Sequence, residues 1–205
     1  ADAAPSTGTI VAGNIFLNGN YWDYTSGDVF HNDGLHMWTA TGPFVDVSIY
    51  RNQMLTDWGN HTTGLLFLEG AYQTLYIYDN LLGTTTGKIA EAPIDIQAAY
   101  SGGTTAYIYN NTLVGAGTDN TGGMGLYMQG AQWTKVAVKN NIFYNFYAAV
   151  TLLTTQSIAA LDFDYNNYFS VGNVSTRINP TSGDQSGSSW DISTCQSYIG
   201  SSDET

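Results

Sequence analysis

Short runs of alternating apolar and polar residues recur along the chain, and six of them end at an asparagine. Alternation at period two is typical of a β-strand with one buried face, and the asparagine that follows indicates a turn. The intervals between Asn14, Asn52, Asn80, Asn111, Asn141 and Asn166 are 38, 28, 31, 30 and 25 residues. Strand and turn therefore repeat at a nearly constant spacing after one long first interval, which is typical of a solenoid.

A second short strand is predicted within the intervals, at residues 35–38, 65–68, 94–97, 126–129 and 150–153. Gly34, Gly64 and Gly125 precede three of these strands, as a tight turn requires. Two strands and a turn-rich remainder per interval predict one coil of a parallel β-helix, with coils stacked about 4.8 Å apart.

Alternation also predicts which side chains point into the coils. In the first strands these are Val47, Ile49, Leu75, Ile77, Ile108, Val136, Val138, Leu161 and Phe163. In the second strands they are Leu35, Met37, Leu65, Phe67, Ile94, Ile96, Leu126, Met128, Val150 and Leu152. We expect each repeated asparagine to adopt left-handed backbone at the bend and to hydrogen-bond to the like amide one coil away. These asparagines are therefore predicted to be structural and not catalytic.

The repeat over residues 10–170 resembles the right-handed β-helix repeat proteins of the pectate-lyase-like class. Residues 189–197, Ser-Trp-Asp-Ile-Ser-Thr-Cys-Gln-Ser, resemble the closing segment of bacterial secreted members of that class. The resemblance implies an all-β fold, a single-stranded right-handed parallel β-helix of about six coils. We expect one domain over residues 1–205, with coils over about 8–170 and a capping or extension segment over 171–205. The class includes lyases, hydrolases, epimerases, phage tailspikes and adhesins, so the resemblance implies no single activity.

Charge narrows the range of partners. Five Lys and Arg residues against 17 Asp and Glu give a net charge of −12, which repels nucleic acid and anionic lipid. The same charge disfavours acidic polysaccharides unless a cation such as Ca²⁺ bridges them to the protein, and that cofactor is left open. No apolar run reaches the roughly 20 residues of a membrane span. Low Lys content and a first residue other than Met predict a secreted, extracellular protein.

Aromatic side chains are the candidate sugar-binding groups. Alternation places Tyr76 and Tyr107 in one outward column and Tyr50, Tyr78 and Tyr109 in the next. Aromatic side chains can stack against sugar rings, whereas the alternative is that tyrosines only pair across neighbouring strands. A long insertion over residues 18–30 carries Trp22, which either contacts substrate or belongs to a lid over the first coil.

The most enzyme-like segment is Asn32-Asp33-Gly34-Leu35-His36. It resembles the segment that supplies a catalytic carboxylate in polygalacturonase-type hydrolases, although the other motifs of those enzymes are replaced. From the residues alone, Asp33, His36, Glu69 and Asp95 form a candidate catalytic group, because two carboxyls roughly 5–9 Å apart suffice for glycoside hydrolysis. The alternative is that these carboxylates are solvated groups at turns. No metal site is predicted from them.

Together these features predict a secreted domain that engages polysaccharide, either as a hydrolase- or lyase-type enzyme or as a binding module. The alternative is a structural subunit of an extracellular filament or adhesin, in which copies stack end to end. That alternative rests on the short stretch before Ile10, which cannot form the helix that would cover the first coil.

Overall fold

A computed structural model describes residues 7–17, 19, 33–39, 42–58, 62–84, 92–98, 100–117, 123–130, 133–152, 155–156, 160–176, 179–180 and 189–190. These residues form strands and turns and contain no α-helix. No described helix could therefore cross a bilayer. Nearly all strand pairs are parallel.

Three stacked parallel sheets contain most of the strands. Sheet A consists of β1 (Thr9–Ala12), β3 (Phe44–Tyr50), β6 (Tyr72–Tyr78), β9 (Thr104–Tyr109), β12 (Trp133–Lys139) and β16 (Leu161–Asp164). Sheet B consists of β4 (Gln53–Thr56), β7 (Leu81–Thr84), β10 (Thr112–Val114), β13 (Ile142–Tyr144) and β17 (Asn167–Phe169). Sheet C consists of β2 (Leu35–Trp38), β5 (Gly64–Gly70), β8 (Ala92–Ala98), β11 (Met124–Gly130), β14 (Ala148–Leu152), β18 (Asn173–Thr176) and β20 (Ser189–Trp190). A separate pair joins β15 (Thr155–Gln156) and β19 (Asn179–Pro180).

From β2 to β18 the chain visits the three sheets in the cyclic order C, A, B, with only β15 outside them, which fits a parallel β-solenoid. The sequence predicted two strands per coil, at the positions of sheets A and C. The strands of sheet B were missed, because segments of only three or four residues directly after the asparagine are too short to show an alternation.

The core is a set of aliphatic columns enclosed by the three sheets. All the inward residues predicted for sheet A are buried, at most 6% exposed. In sheet C the prediction is wrong for Phe67, because the register pairs it with His36 and pairs the inward Met37 with Leu68. Phe67 is buried on the outer face against the His36 ring, whereas Leu65 belongs to the hydrophobic core as predicted. Four consecutive apolar residues carry no alternation, so the pattern alone could not assign their faces.

The repeated asparagines form the predicted ladder. Side-chain amides donate to the next asparagine's Oδ1 at 2.9–3.0 Å along the whole series from Asn14 to Asn166. A second bond runs from each Nδ2, from Asn52 onward, to a backbone carbonyl of an earlier strand, as from Asn80 to Ile49 O at 2.9 Å. The interior asparagines are thus buried polar groups with their hydrogen bonds made.

The left-handed backbone at the bend belongs to the residue before each ladder asparagine, which corrects the sequence-based expectation. Positive φ angles of 54–71° occur at Gly13, Arg51, Asp79, Asn110, Asn140 and Tyr165. The ladder position needs an amide for its hydrogen bonds, whereas the preceding position needs only to tolerate left-handed backbone.

Gly34 and Gly125 are required because there is no space for a side chain, and not because of a turn. A Cβ at Gly34 would lie 2.6 Å from the carbonyl oxygen of Leu65, and one at Gly125 would lie 2.6 Å from a ring carbon of Phe143. Neither glycine has a positive φ, so the predicted tight turns are not what requires them.

The two ends of the solenoid differ. At the beginning, Val11 packs against the core, but Ile10, Ile15 and Leu17 are 63–71% exposed. At the other end, β20 folds back and pairs antiparallel with β18, so the end of sheet C is covered by the chain itself. The side chain of Trp190 and the insertion that carries Trp22 lie outside the described residues.

Candidate functional site

The outer face of sheet A carries the five predicted tyrosines in two columns. Tyr50, Tyr78 and Tyr109 stack with ring centroids 4.8 and 4.9 Å apart and planes within 6°. Tyr76 and Tyr107 stack at 5.2 Å and 7°. All five are half-buried on one parallel sheet, which confirms their predicted placement.

This stacking changes how the tyrosines could meet a sugar. Parallel rings at about 5 Å must overlap as offset stacks, so each ring covers part of the face of its neighbour. The columns therefore do not form the flat stripe of free ring faces that was expected. A ring face can be free only where a column ends. At β12, Ala137 follows Tyr107 and Lys139 follows Tyr109, and at the opposite ends Ser48 precedes Tyr76 and Ala12 precedes Tyr50.

At the end of the Tyr76–Tyr107 column a depression opens, which we call the notch. Ala137 occupies the next position of that column and Asp162 the one after, so a methyl group stands where a ring would continue the stack. The notch has a volume of about 360 Å³, within the usual size of small-ligand sites. It is lined by Tyr107, Tyr109, Asn110, Lys135, Ala137, Lys139, Asn140 and Asp162.

Two lysines and two aspartates form an ion cluster at the notch. Lys139 Nζ lies 2.7 Å from Asp162 Oδ1 and 3.9 Å from Asp164 Oδ2, and Lys135 Nζ lies 3.4 Å from Asp162 Oδ2. The Lys135 ammonium is also 5.7 Å from the centre of the Tyr107 ring. A register irregularity between Trp133 and Lys135 sets Lys135 opposite Thr105.

The cluster shifts the ionisation of its members. Partial burial by itself would raise the pKa of Asp162, but the hydrogen bond and charge of Lys139, reinforced by Lys135, outweigh it and lower that pKa. The hydrogen bond from Lys139 to Asp162 raises the pKa of Lys139 against a smaller opposing effect of burial. Both groups therefore stay charged near neutral pH, and the notch is lined by two positive charges and one negative charge, with Asp164 next to them.

Cationic side chains are concentrated on this face. The chain has five Lys and Arg residues in total, and three of them border the tyrosine columns. Arg51 lies 5.8 Å from the ring centre of Tyr50 at one end, and Lys135 and Lys139 stand at the other. In a protein of net charge −12, this face is therefore locally close to balanced.

The predicted catalytic group is only partly brought together, on the outer face of sheet C. His36 Nε2 lies 2.8 Å from Glu69 Oε2, and His36 Nδ1 lies 3.8 Å from Asp33 Oδ2. Asp33 Oδ1 also accepts a 3.2 Å hydrogen bond from the backbone N–H of Gly64, and its side chain is only 5% exposed. Asp33, His36 and Glu69 thus form a carboxylate–imidazole–carboxylate chain.

Asp95 is not part of that chain. Its register partner is Phe67, which in turn pairs with His36, so Asp95 lies two strands away from the imidazole. The Phe67 ring packs 4.7 Å from the His36 ring and separates the two groups. Asp95 is fully buried and accepts a 3.4 Å hydrogen bond from Gln97.

Within the described part of the chain, no group of three or more His, Cys, Asp or Glu residues could hold a metal ion. The sequence pointed to the tyrosines but missed Ala137, Asn110 and Asn140 as lining residues. The signal was present in the aligned repeats, where Ala137 is the small residue that follows two tyrosines in one column. A search for larger outward side chains could not find it, because the feature is a missing side chain.

No protein-family model, curated protein or solved structure matched the chain.

Proposed function

We propose that this domain binds polysaccharide on the outer face of sheet A, with one sugar residue in the notch. The observation that carries the proposal is the end of the Tyr76–Tyr107 column at Ala137, beside the Lys139–Asp162 ion pair. A partly open site with an aromatic wall and charged hydrogen-bonding groups suits a sugar, which has apolar C–H faces and polar hydroxyls.

Each side of the notch has a role in this function. The apolar face of the sugar ring packs on the part of the Tyr107 ring that the Lys135 ammonium, 5.7 Å from the ring centre, leaves uncovered, and Ala137 leaves space for it. Hydroxyls at the edge of the sugar donate to Asp162 and accept from Lys139 in charge-assisted hydrogen bonds. Asn110 and Asn140 present amides at the rim, in exposed turns.

The experiment fills the notch. Ala137→Tyr would continue the aromatic column and occupy the space of the sugar, so we expect it to fold and to lose polysaccharide binding in affinity electrophoresis. Ser48→Tyr is the matched control, because Ser48 is the register partner of Tyr76 at the opposite end of the same column. It should bind as the unchanged protein does. Equal binding by all three proteins would refute the notch as the site.

We also propose that the solenoid is a right-handed β-helix of about six coils, similar to the pectate-lyase-like class. The protein that contains it is proposed to be secreted and extracellular. The six ladder asparagines, one for each passage from sheet A toward sheet B, support the coil number. Scattering of the intact rod and the handedness in an experimental map would test it.

A hydrolytic form of the function would use the chain on sheet C. Asp33 and Glu69 both lie near the same imidazole, which keeps their separation below the roughly 9.5 Å limit for a pair of glycosidase carboxyls. In that role one carboxyl donates a proton to the leaving oxygen and the other acts as base or nucleophile. Glu69→Gln should abolish any glycan hydrolysis and leave binding at the notch unchanged. Hydrolysis that survives Glu69→Gln would refute this assignment.

The filament alternative rests on the exposed apolar residues at the beginning of the solenoid, Ile10, Ile15 and Leu17. Ile10 lies in the edge strand β1 and the other two follow it, and open edges of this kind pair with other chains. The antiparallel strand β20 opposes stacking at the other end of sheet C. Linear polymers of purified protein in electron micrographs, dispersed by Ile10→Lys, would favour the filament over the binding domain.

A further inference from the structure

We infer that the ligand of the notch is a single soluble glycan chain without charged groups, and not the surface of an insoluble polysaccharide or a polyanion. This inference rests on the proposed function and adds the physical form and the charge of the ligand. Three properties of the outer face of sheet A carry it.

The first property is the geometry of the aromatic columns. A crystalline polysaccharide surface needs several ring faces in one exposed plane. The rings of Tyr50, Tyr78 and Tyr109 overlap at 4.8 and 4.9 Å, as do Tyr76 and Tyr107 at 5.2 Å, so their faces are largely covered by each other. The columns therefore offer no such plane.

The second property is the width of the notch. Tyr107 and Asp162 lie on β9 and β16, which are separated by one strand, so their backbones are about 10 Å apart. The Lys135 ammonium takes part of that space, 5.7 Å from the centre of the Tyr107 ring and 3.4 Å from Asp162 Oδ2, and the notch has a volume of about 360 Å³. One sugar ring of one chain fits there, and its neighbours must leave through the open side.

The third property is the balance of charge. Lys135 and Lys139 are already paired with Asp162 and Asp164, at distances from 2.7 to 3.9 Å. A sugar carboxylate would have to displace Asp162 from both ammonium groups against a net charge of −12 on the protein. A hydroxyl needs no displacement, because it can accept from a lysine and donate to Asp162 at the same time.

The rim fits the same ligand. In the column of left-handed residues, the other turns carry glycine, arginine, aspartate or tyrosine, whereas the two turns beside the notch carry Asn110 and Asn140. An uncharged amide donates to and accepts from hydroxyls without favouring either sign of charge. The rim thus adds neutral hydrogen-bonding groups where the glycan chain leaves the notch.

The experiment compares three probes on the intact protein: soluble neutral oligosaccharides of glucose, mannose and xylose, oligogalacturonate, and crystalline cellulose and chitin. Calorimetry measures the soluble probes and sedimentation the insoluble ones. We expect binding of a neutral oligosaccharide that Ala137→Tyr abolishes and Ser48→Tyr preserves. We expect no binding of oligogalacturonate and no retention on the crystalline polymers.

A charge variant sharpens the test. Asp162→Asn leaves both lysines but removes the carboxylate that holds them, so binding of oligogalacturonate, which we expect to be absent in the unchanged protein, should become measurable. Neutral oligosaccharide affinity should fall in the same variant, because a hydroxyl loses its charged acceptor.

The outcomes separate the two proposals. Binding of oligogalacturonate or a crystalline polymer by the unchanged protein, if Ala137→Tyr abolishes it, overturns the present inference and leaves the notch as the polysaccharide site. Binding that Ala137→Tyr does not change overturns the proposed function itself. The absence of binding by any probe overturns both.

Discussion

Tyr107 and Ala137 occupy equivalent positions on the adjacent strands β9 and β12, and the step from a phenol ring to a methyl group opens the notch beside the Lys139–Asp162 pair. On the same face, every earlier member of the two tyrosine columns has a ring as its next neighbour. The candidate site is thus an interruption in a repeat. In a solenoid, a position that departs from the repeat is free to serve binding because the others already maintain the stack.

The ladder asparagines should be the most sensitive polar positions for stability. Asn80 Nδ2 donates to Asn111 Oδ1 and to Ile49 O, and Asn80 Oδ1 accepts from Asn52. Asn80→Ala leaves several buried groups unsatisfied and should lower the free energy of unfolding by about 3 kcal/mol, measured by denaturant titration.

Asn80→Asp is a control, because the Asp side chain has nearly the same shape as Asn but lacks the amide donor. An ionised carboxylate would face two oxygen acceptors, so folding raises the pKa of this Asp above its ordinary value of about 3.9. Stability should therefore be nearest to that of the unchanged protein below that ordinary pKa, and should be lost as pH rises through the raised pKa. A pH-independent loss would contradict the ladder geometry.

The residue before each ladder asparagine has left-handed backbone, and two opposite substitutions at this position should change stability in opposite directions. Tyr165 has φ 55° and is 58% exposed, whereas Asn140 has φ 54° in the equivalent turn. Asn tolerates this backbone better than Tyr, so Tyr165→Asn should raise stability and Asn140→Tyr should lower it, each by about 1 kcal/mol. Thermal unfolding of both variants tests the prediction, and changes of the same sign would contradict it.

The ion cluster at the notch should make the free energy of unfolding depend modestly on pH in the acid range. Because the folded-state pKa of Asp162 lies below its ordinary value of 3.8, its contribution is present above pH 3.8 and is lost as pH falls through the lowered pKa. Asp162 is 36% exposed, so solvent screens the pair and the effect on stability stays below about 1 kcal/mol. The loss of stability between neutral pH and pH 2, measured from unfolding curves, should be smaller for Asp162→Asn than for the unchanged protein. Added salt should bring the two proteins closer together.

Two glycine substitutions test whether steric crowding is the reason for glycine at position 34. Gly34→Ala would place a Cβ 2.6 Å from the backbone oxygen of Leu65 and 2.8 Å from the sulfur of Met54. Gly64→Ala is the matched control, since its nearest contacts are 3.2 Å. We expect a loss of about 2 kcal/mol for Gly34→Ala and a smaller loss for Gly64→Ala. Equal losses in chemical denaturation would mean that crowding is not the reason for the glycine.

Several elements of the fold could be predicted from local pattern. The strands of sheets A and C, the inward residues of sheet A and the asparagine ladder all follow from alternation at a repeated interval. The tyrosine columns followed for the same reason. In a parallel stack with constant spacing, the residue that pairs with a given position is found one interval later in the chain, so local alignment also predicts long-range neighbours.

Other features depended on contacts that the pattern does not encode. The predicted inward face of Phe67 was wrong because an unbroken apolar run does not show which of its residues point inward. Asp95 was grouped with His36 by alignment, but the Phe67 ring stands between them.

The amino-acid sequence by itself determined the repeat, the columns of like residues and the chemistry available on each face, because those depend on residue type and spacing. The tertiary structure alone decided that the tyrosine rings cover one another, that the notch opens at Ala137 and that Lys135 and Lys139 share Asp162. These depend on the tilt of rings and the reach of long side chains across neighbouring strands, and rotamers of that kind are chosen by packing and not by sequence spacing.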